Sequence, residues 1–192
     1  LGKQVAARIL NADTEVREAG AALHVGQAML KNAKMDFVVE KCTELGVTTF
    51  NPFISSRCQG RLDDEERGGK RRQRWQRIVE SACKQCSRSR PMELTDACSL
   101  EALCAAASRE PRALRILFWE EEKETSLHDL PPFADFDRID LLLGPEGGFS
   151  REEVELAGSA GYQSISLGPR ILRAETATVA AIAIVRYLSG DI

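Results

Sequence analysis

Two glycine-rich turns are the parts of this sequence whose residue types best suit ligand chemistry. Residues 144–148 (GPEGG) follow the predicted strand 139–143, and residues 168–170 (GPR) follow the predicted strand 163–167. Glycine has no side chain, so such turns let the backbone approach a ligand closely and offer it amides and carbonyls. In open α/β sheets, ligands bind beyond the carboxyl ends of the strands. The two turns therefore predict a small-molecule cleft whose backbone groups bond an adenine or an amino-acid moiety.

A third candidate strand end supports this cleft, and the alternative motifs are absent. Residues 118–120 (FWE) end another apolar run, and the side chains of Leu117, Ile171 and Leu172 are suited to flank a purine ring. One glycine turn alone is most often only a tight turn, whereas two that directly follow buried strands favour a site. The G-x-G-x-x-G of dinucleotide folds and the lysine of a phosphate loop are both missing. The residues thus indicate a pocket without naming its ligand.

Strands and helices alternate along most of the chain, as a cleft at strand ends requires. Ser150 and Glu153 form a capping box that opens one of the helices. Hydrophobic periodicity and composition predict helices at 35–45, 70–88, 100–107, 151–160 and 174–188 and strands at 23–26, 47–54, 115–119, 139–143 and 163–167. This order predicts an α/β fold with a mostly parallel sheet and helices on both faces. Residues 1–27 look β-rich instead, with apolar and polar residues alternating around Val5.

The predicted helix 70–88 carries a basic stripe. The stripe recurs every three or four residues and includes Lys70, Arg74, Arg77, Lys84 and Arg88. A solvated helix face is the ordinary explanation for such charges, and contact with nucleic-acid phosphates is the alternative. The tryptophan of this helix falls on the buried stripe, which predicts a core residue rather than a base-stacking platform.

The composition limits the remaining possibilities. The chain has 192 residues and a formal net charge of -3, so a nucleic-acid site has to be a local patch. No apolar run is long enough for a membrane span. The six cysteines are irregularly spaced, and the pair Cys83 and Cys86 lies within a helical pattern, so neither a metal nor a redox site is predicted. Because it begins at Leu1 without a methionine, the chain is expected to start inside a longer protein.

The glycine-rich motifs carry a resemblance to a known family. Residues 142–149 (LLGPEGGF) and 167–177 (LGPRILRAETA) together resemble the SPOUT methyltransferases, and specifically the ribosomal RNA small subunit methyltransferase E family. Residues 34–47 (KMDFVVEKCTELGV), 55–58 (SSRC) and 85–88 (QCSR) are similar to further segments of that family. The likeness extends from about residue 23 to residue 188.

The resemblance implies a fold, a cofactor and an activity. The cofactor would be S-adenosylmethionine (SAM), and the reaction would methylate N3 of a uridine in 16S ribosomal RNA, free or in the small ribosomal subunit. The fold would contain a C-terminal trefoil knot, and the protein would be a cytoplasmic homodimer with its SAM site near the subunit interface. Residues 1–27 would be the remnant of a PUA-like RNA-binding domain, and residues 28–192 the methyltransferase domain.

The resemblance also implies which residues form the site. For the cofactor it implies Leu117, Phe118, Leu143, Gly144, Pro145, Glu146, Gly147, Gly148, Leu167, Gly168, Ile171, Leu172 and Thr176. For RNA it favours phosphate contact by Arg57, Lys70, Arg74, Arg77, Lys84, Gln85 and Arg88. Lys84 departs from the family, which has an acidic residue there.

Methyl transfer to uridine N3 needs a nucleophile that has lost its proton. Arg173 is a candidate to steady negative charge on the uracil oxygens or on phosphate. Glu175 is a candidate to accept the proton or to orient Arg173, and a purely structural ion pair at a helix start is the alternative. Three other hypotheses stay open: an RNA-binding module without catalysis, a knotted methyltransferase acting on another nucleotide, and a nucleotide-binding enzyme of a different kind.

Overall fold

The computed structural model describes residue 8 and residues 20–31, 33–58, 65–107 and 109–192, without the side chains of residues 65–68. The β pattern predicted around Val5 lies outside the described residues. Within them, seven strands form one sheet in which every pairing is parallel. The strands are β1 (Ala22–Ala28), β2 (Thr49–Ile54), β3 (Glu93–Leu94), β4 (Cys98–Ser99), β5 (Ala113–Phe118), β6 (Arg138–Leu143) and β7 (Gln163–Ile165). Their order is β3-β2-β1-β6-β5-β7, and β4 pairs with β2.

Among the described residues, four α-helices connect strands of this sheet and a fifth follows the last strand. They are α1 (Ala33–Glu44), α2 (Glu65–Cys86), α3 (Leu100–Ala107), α4 (Arg151–Ser159) and α5 (Ala174–Leu188). The predicted bounds of α3 and α5 are confirmed, and those of α1 and α4 agree within two residues. The prediction for α2 is wrong at its start, because the helix begins at Glu65, and it agrees within two residues at its end, where Ser87 adopts a φ of 61°.

The two faces of the sheet bury two separate cores. On one face, Val38 of α1, Val79 of α2 and Ile182 of α5 pack in the larger core. On the other face, Cys104 of α3 and Ala157 of α4 pack in the smaller core. The prediction of helices on both faces of a parallel sheet is therefore confirmed.

The strand β1 occupies the centre of the sheet. It pairs with β2 on one side and with β6 on the other, from Ala22 to Ala28. The domain boundary predicted at residue 27 falls within this central strand. The short apolar run 23–26 gives no sequence signal for the sheet that it joins.

Three features of the described residues concern membrane, metal and disulfide sites. No helix among them combines the length and apolar character that crossing a bilayer demands. Their histidine, cysteine and acidic side chains form no cluster of three that could hold a metal ion. All six cysteines are free thiols.

Candidate functional site

A cavity of about 430 Å³ lies at the carboxyl ends of β5, β6 and β7. Three connecting loops surround it: 119–120 after β5, 144–148 after β6, and 166–173 between β7 and α5. The parallel sheet brings these loops together because the carboxyl ends of all its strands lie at one edge. The cavity is lined by Lys34, Phe118, Trp119, Glu120, Leu143, Gly144, Pro145, Glu146, Gly148, Ser166, Leu167, Gly168, Pro169, Arg170, Ile171, Leu172, Arg173, Ala174 and Ala177.

The loop after β6 requires glycine at position 148. Gly148 has a φ of +67°, and a Cβ built on it would lie 1.6 Å from Oε1 of Glu120. A side chain there would thus be strained by the backbone and would also displace the Glu120 carboxylate from the cavity wall. Phe149 anchors the end of the loop, since it is buried and stacks on Phe53 at a centroid distance of 6.3 Å.

The buried side-chain amide of Gln27 holds the loop after β6 in place through hydrogen bonds. The Gln27 side chain is 0% exposed, and its Nε2 donates to the carbonyls of Ala28 (3.0 Å) and Gly144 (3.2 Å). Its Oε1 accepts a hydrogen bond of 2.6 Å from the hydroxyl of Thr178 on α5. Gln27 therefore connects β1, the loop after β6 and α5. Sequence reasoning missed this residue, and its one signal is a polar side chain at the end of an apolar strand.

The loop after β7 carries the second glycine motif. Gly168 has a φ of +104°, and its N–H donates to the Ser166 hydroxyl at 3.1 Å. Ile171 points outward and is 89% exposed. The loop leads into α5 through Arg173, which lines the cavity and whose side chain makes no capping hydrogen bond.

An ion-pair cluster occupies one wall of the cavity. The Nζ of Lys34 lies 3.1 Å from a carboxylate oxygen of Glu175 and 3.4 Å from one of Glu146. The hydrogen bond to Glu175, together with that to Glu146 and both negative charges, raises the pKa of Lys34 despite partial desolvation. Desolvation raises the pKa of Glu175, but its backbone amide, Lys34 and Arg173 outweigh it and bring that pKa below its usual value. At neutral pH both groups are therefore charged, and Glu175 is a weak base.

The structure brings most of the predicted cofactor residues to one cavity and leaves three outside it. Leu117 is 1% exposed and packs in the smaller core, because successive strand residues face opposite sides and Phe118 takes the cavity side. Gly147 faces Arg57, whose guanidinium donates to its carbonyl at 3.0 Å. Thr176 is exposed on the first turn of α5 and does not line the cavity.

The cavity also contains residues that were not predicted from the sequence. Lys34 lines the cavity, and sequence reasoning had assigned it no role. Glu175, a predicted catalytic residue, does not line the cavity and reaches it only through its ion pair with Lys34. The lysine and its two acidic partners come from three distant segments, so nothing in local spacing reveals them. The other unpredicted lining residues are Trp119, Glu120, Ser166, Pro169, Arg170, Ala174 and Ala177.

The predicted RNA-binding residues separate into four groups. Arg57 lies against the loop after β6, where its guanidinium donates to the Gly147 carbonyl. Lys70 and Arg74 line a second concavity, at the start of α2. Arg77, Lys84 and Gln85 are exposed farther along the same helix. Arg88 was predicted to lie on the helix, and that placement is wrong because α2 ends at Cys86. Its guanidinium donates to the carbonyls of residues 43 and 47, both at 2.9 Å.

The tryptophan of α2 is a core residue, as predicted. Trp75 is 5% exposed and packs in the larger core. Its indole N–H donates to Asp36 on α1 at 3.1 Å. It is therefore not available as a platform for a stacked base.

Comparisons with known proteins agree on one family. A family model described as an RNA methyltransferase domain matches residues 17–186. The ribosomal RNA small subunit methyltransferase E of Buchnera aphidicola subsp. Schizaphis graminum is 35% identical over 186 residues, which are 96% of this chain and 72% of that protein. Its Bacillus subtilis counterpart is 28% identical, over 98% of this chain and 76% of its own length.

A solved structure of the same kind superposes closely. The crystal structure of a ribosomal RNA small subunit methyltransferase E from Neisseria gonorrhoeae bound to S-adenosyl methionine gives a TM-score of 0.80 at 34% identity. The match covers 92% of this chain and 70% of that one. The chain thus spans roughly 70–76% of the length of these three relatives.

Proposed function

Because this chain belongs to the ribosomal RNA small subunit methyltransferase E family, within the RNA methyltransferases, we propose that it uses SAM to methylate 16S ribosomal RNA at N3 of a uridine. The observation that supports this function is the single cavity formed by the two glycine loops at the ends of β6 and β7. SAM is named for the Neisseria gonorrhoeae structure and ribosomal RNA for all three relatives, and the cavity supports a cofactor site in this chain.

The cavity fits SAM in size and chemistry. Its volume of about 430 Å³ lies within the range of small-molecule sites. Phe118, Leu167 and Leu172 supply apolar surface for an adenine, and the glycine loops supply backbone amides and carbonyls. Gly148 has no side chain, so the Glu120 carboxylate has room at the cavity wall. This carboxylate is suited to accept hydrogen bonds from ribose hydroxyls.

The protein side chains have to bind and orient the uridine. The cofactor, when bound, supplies an electrophilic methyl on a sulfonium, and transfer is a displacement that depends on position. Uridine N3 reacts after it has lost its proton, so cations facing the uracil oxygens stabilise the anion. Lys34 and Arg173 are the cavity residues for that role. The lowered pKa of Glu175 and its contact with Lys34 support a positioning role for this carboxylate rather than proton abstraction.

The protein is further proposed to be a homodimer. Ile184, Tyr187 and Leu188 on α5 and Phe37 on α1 are exposed apolar side chains, at 39%, 70%, 39% and 42%. Ile171, which lines the cavity and is 89% exposed, is proposed as a further contact of the second copy. Such a face is typical of a protein interface.

Three more features belong to this proposal on the strength of family resemblance. The C-terminal segment from residue 166 onward would be threaded as a trefoil knot. A PUA-like domain would precede the sheet and end before Ala22, where β1 begins. The protein would act in the cytoplasm.

The test combines calorimetry with mass mapping of RNA. The chain is expected to bind S-adenosylhomocysteine with one site per subunit, and then to methylate 16S ribosomal RNA at one uridine whose N3 carries the new mass. Binding of RNA without any binding of S-adenosylhomocysteine would refute the enzyme and leave an RNA-binding module. A methylated ribose or guanine would refute only the uridine assignment.

A further inference from the structure

A second concavity, of about 760 Å³, opens between the starts of α1 and α2, beside the end of β1. We call it the basic groove. It is lined by Met29, Leu30, Lys31, Ala33, Met35, Asp36, Lys70, Arg71, Arg74 and Trp75.

The surface that the basic groove presents is cationic. Its lining has four cationic side chains and one carboxylate, which gives a formal charge of 4 − 1 = +3 on a chain whose total is -3. The large apolar lining residues are almost closed to solvent, with Met29 at 8% exposed and Leu30 and Trp75 at 5%. A partner therefore meets ammonium and guanidinium groups rather than an apolar floor, which favours a polyanion over an apolar peptide.

The groove is held in shape before any partner binds. Asp36 accepts hydrogen bonds from the Arg74 guanidinium and from the Trp75 indole at 3.1 Å, so the carboxylate joins α1 to α2. The Arg74 side chain, 68% exposed, is thereby kept at the rim. A preformed rim lowers the entropy lost when charged side chains engage a ligand.

The groove and the cofactor cavity adjoin each other. Lys31 lines the groove, and its backbone N–H donates at 3.3 Å to Glu146, which lines the cavity. Lys34, three residues on, lines the cavity itself. An RNA strand that leaves the cavity beside Lys31 would therefore enter the basic groove directly.

We propose that the basic groove binds the phosphates of the single-stranded RNA next to the nucleotide held in the cavity. The inference rests on the proposed function, since it takes an RNA nucleotide as the occupant of the cavity. Ammonium and guanidinium groups on a rim match a sugar-phosphate backbone, which carries one charge per nucleotide whatever its sequence. The groove thus aligns the strand, and the cavity selects the base.

The test compares two double variants of the full chain. Lys31→Ala with Lys70→Ala removes two rim cations, and Arg109→Ala with Arg112→Ala removes two exposed cations at the opposite edge of the sheet. Binding of a labelled single-stranded fragment of 16S ribosomal RNA is followed by fluorescence anisotropy as the salt concentration is varied. Each phosphate contact on a single strand contributes ~0.7 to the slope of log K against log salt.

The groove variant is expected to lose about 1.4 from that slope and to bind about tenfold more weakly at ~0.15 M salt, because two phosphate contacts are gone. Its KM for RNA rises while its affinity for S-adenosylhomocysteine stays at the wild-type value, and the control variant keeps the wild-type slope. Equal slopes for the two variants would overturn the proposal. So would loss of binding to phosphatidylserine vesicles with RNA binding intact, since the groove would then be a membrane site. A wild-type chain that methylates no RNA would refute the proposed function, while the slopes would still decide whether the groove binds RNA.

Discussion

Gly148 has no side chain, and the carboxylate of Glu120 occupies the space that this leaves. The glycine adopts a left-handed φ, and the glutamate fills the space where its Cβ would be. Lys34 has a comparable dependence on its neighbours, because two carboxylates fix its ammonium at the cavity wall. At the scale of single residues, the site is therefore defined by close approaches and by charge pairing.

Substitution Gly148→Ala is expected to weaken cofactor binding more than it weakens the fold. The left-handed conformation costs alanine roughly 1–2 kcal/mol, and the displaced Glu120 side chain would intrude on the cavity. The checks are calorimetry with S-adenosylhomocysteine and thermal unfolding. The matched control is Gly158→Ala on α4, where nothing lies within 4 Å of the added methyl, so stability should rise by about 0.5 kcal/mol with unchanged affinity. Equal affinities for both variants would contradict the close approach.

Substitution Lys34→Met is expected to lower kcat about 100-fold, because it removes one of the cavity cations that we propose stabilise the uracil anion. The measurement is steady-state methylation at saturating SAM and RNA. Lys34→Arg, which keeps the charge and the contact with Glu175, should restore much of the rate. If Lys34 instead held the cofactor, the Kd for S-adenosylhomocysteine would rise while kcat at saturation stayed near normal.

At the scale of elements, β1 lies in the middle of the sheet and carries two polar side chains, Gln27 and His24. Gln27 at its carboxyl end bonds the loop after β6 and the helix α5. His24, farther back, lies opposite Asp140 of β6. Burial, and then the nearby charge of Arg138, lowers the pKa of His24 from 6.5 to about 4. The strand therefore combines a positioning role at one end with a neutral imidazole inside the sheet.

Substitution Gln27→Leu is expected to lower the free energy of unfolding by about 2 kcal/mol, because the Gly144 carbonyl loses its donor and the Thr178 hydroxyl keeps only its bond to the Ala174 carbonyl. Thr178→Val removes only one of these bonds and should cost about 1–2 kcal/mol. Urea unfolding of both variants and of the double variant measures their coupling. Strictly additive losses would show that the bridge does not link α5 to the loop.

The neutral state of His24 predicts a loss of stability in mild acid. The unfolded chain binds a proton at this histidine below pH 6.5, and the folded chain does so only near pH 4. Stability is thus complete above pH 6.5 and falls as the pH drops toward 4, by on the order of 1–2 kcal/mol once solvent screening is allowed for. Urea unfolding at several pH values checks this. His24→Gln should flatten the slope in that window, and an unchanged slope would contradict it.

Periodicity and composition predicted the helices well and the faces of buried strands poorly. Composition, rather than a stripe, predicted α3 and α5, and the structure confirms their bounds at Leu100–Ala107 and Ala174–Leu188. A strand buried on both faces is apolar throughout, so nothing distinguished Leu117 in the core from Phe118 at the cavity. Lys34 was beyond reach for another reason, since its partners come together only in the folded chain.

At the scale of the whole molecule, charge and apolar surface are segregated. The basic groove flanks the cavity at the starts of α1 and α2, and exposed apolar side chains lie along α5. The first surface suits RNA, and the second suits another copy of the chain. The glycine motifs predicted the cavity because they are local, whereas both surfaces depend on how distant helices pack.

Substitution Tyr187→Glu is expected to shift the protein from dimer to monomer, because it places a charge on a 70% exposed ring in the proposed subunit interface. Sedimentation of the wild type should give a mass of twice 21.2 kDa, and the variant should approach a single subunit. Ala106→Glu, on an exposed position of α3, is the matched control and should stay dimeric. A wild type that sediments as one subunit would refute the dimer.

The direction of the central strand has a consequence for how RNA is presented. Gly20 packs against Asp191, at the edge where β1 begins, and the cavity lies beyond the edge where the strands end. Seven residues of strand at ~3.3 Å each separate the two edges by ~23 Å. A module tethered at Gly20 is therefore anchored a full strand length from the reaction centre of its own subunit. In the proposed dimer, an RNA bound by the proposed PUA-like domain would have to arch around the sheet or reach across to the second subunit, so recognition would depend on the shape of the RNA as well as on one base.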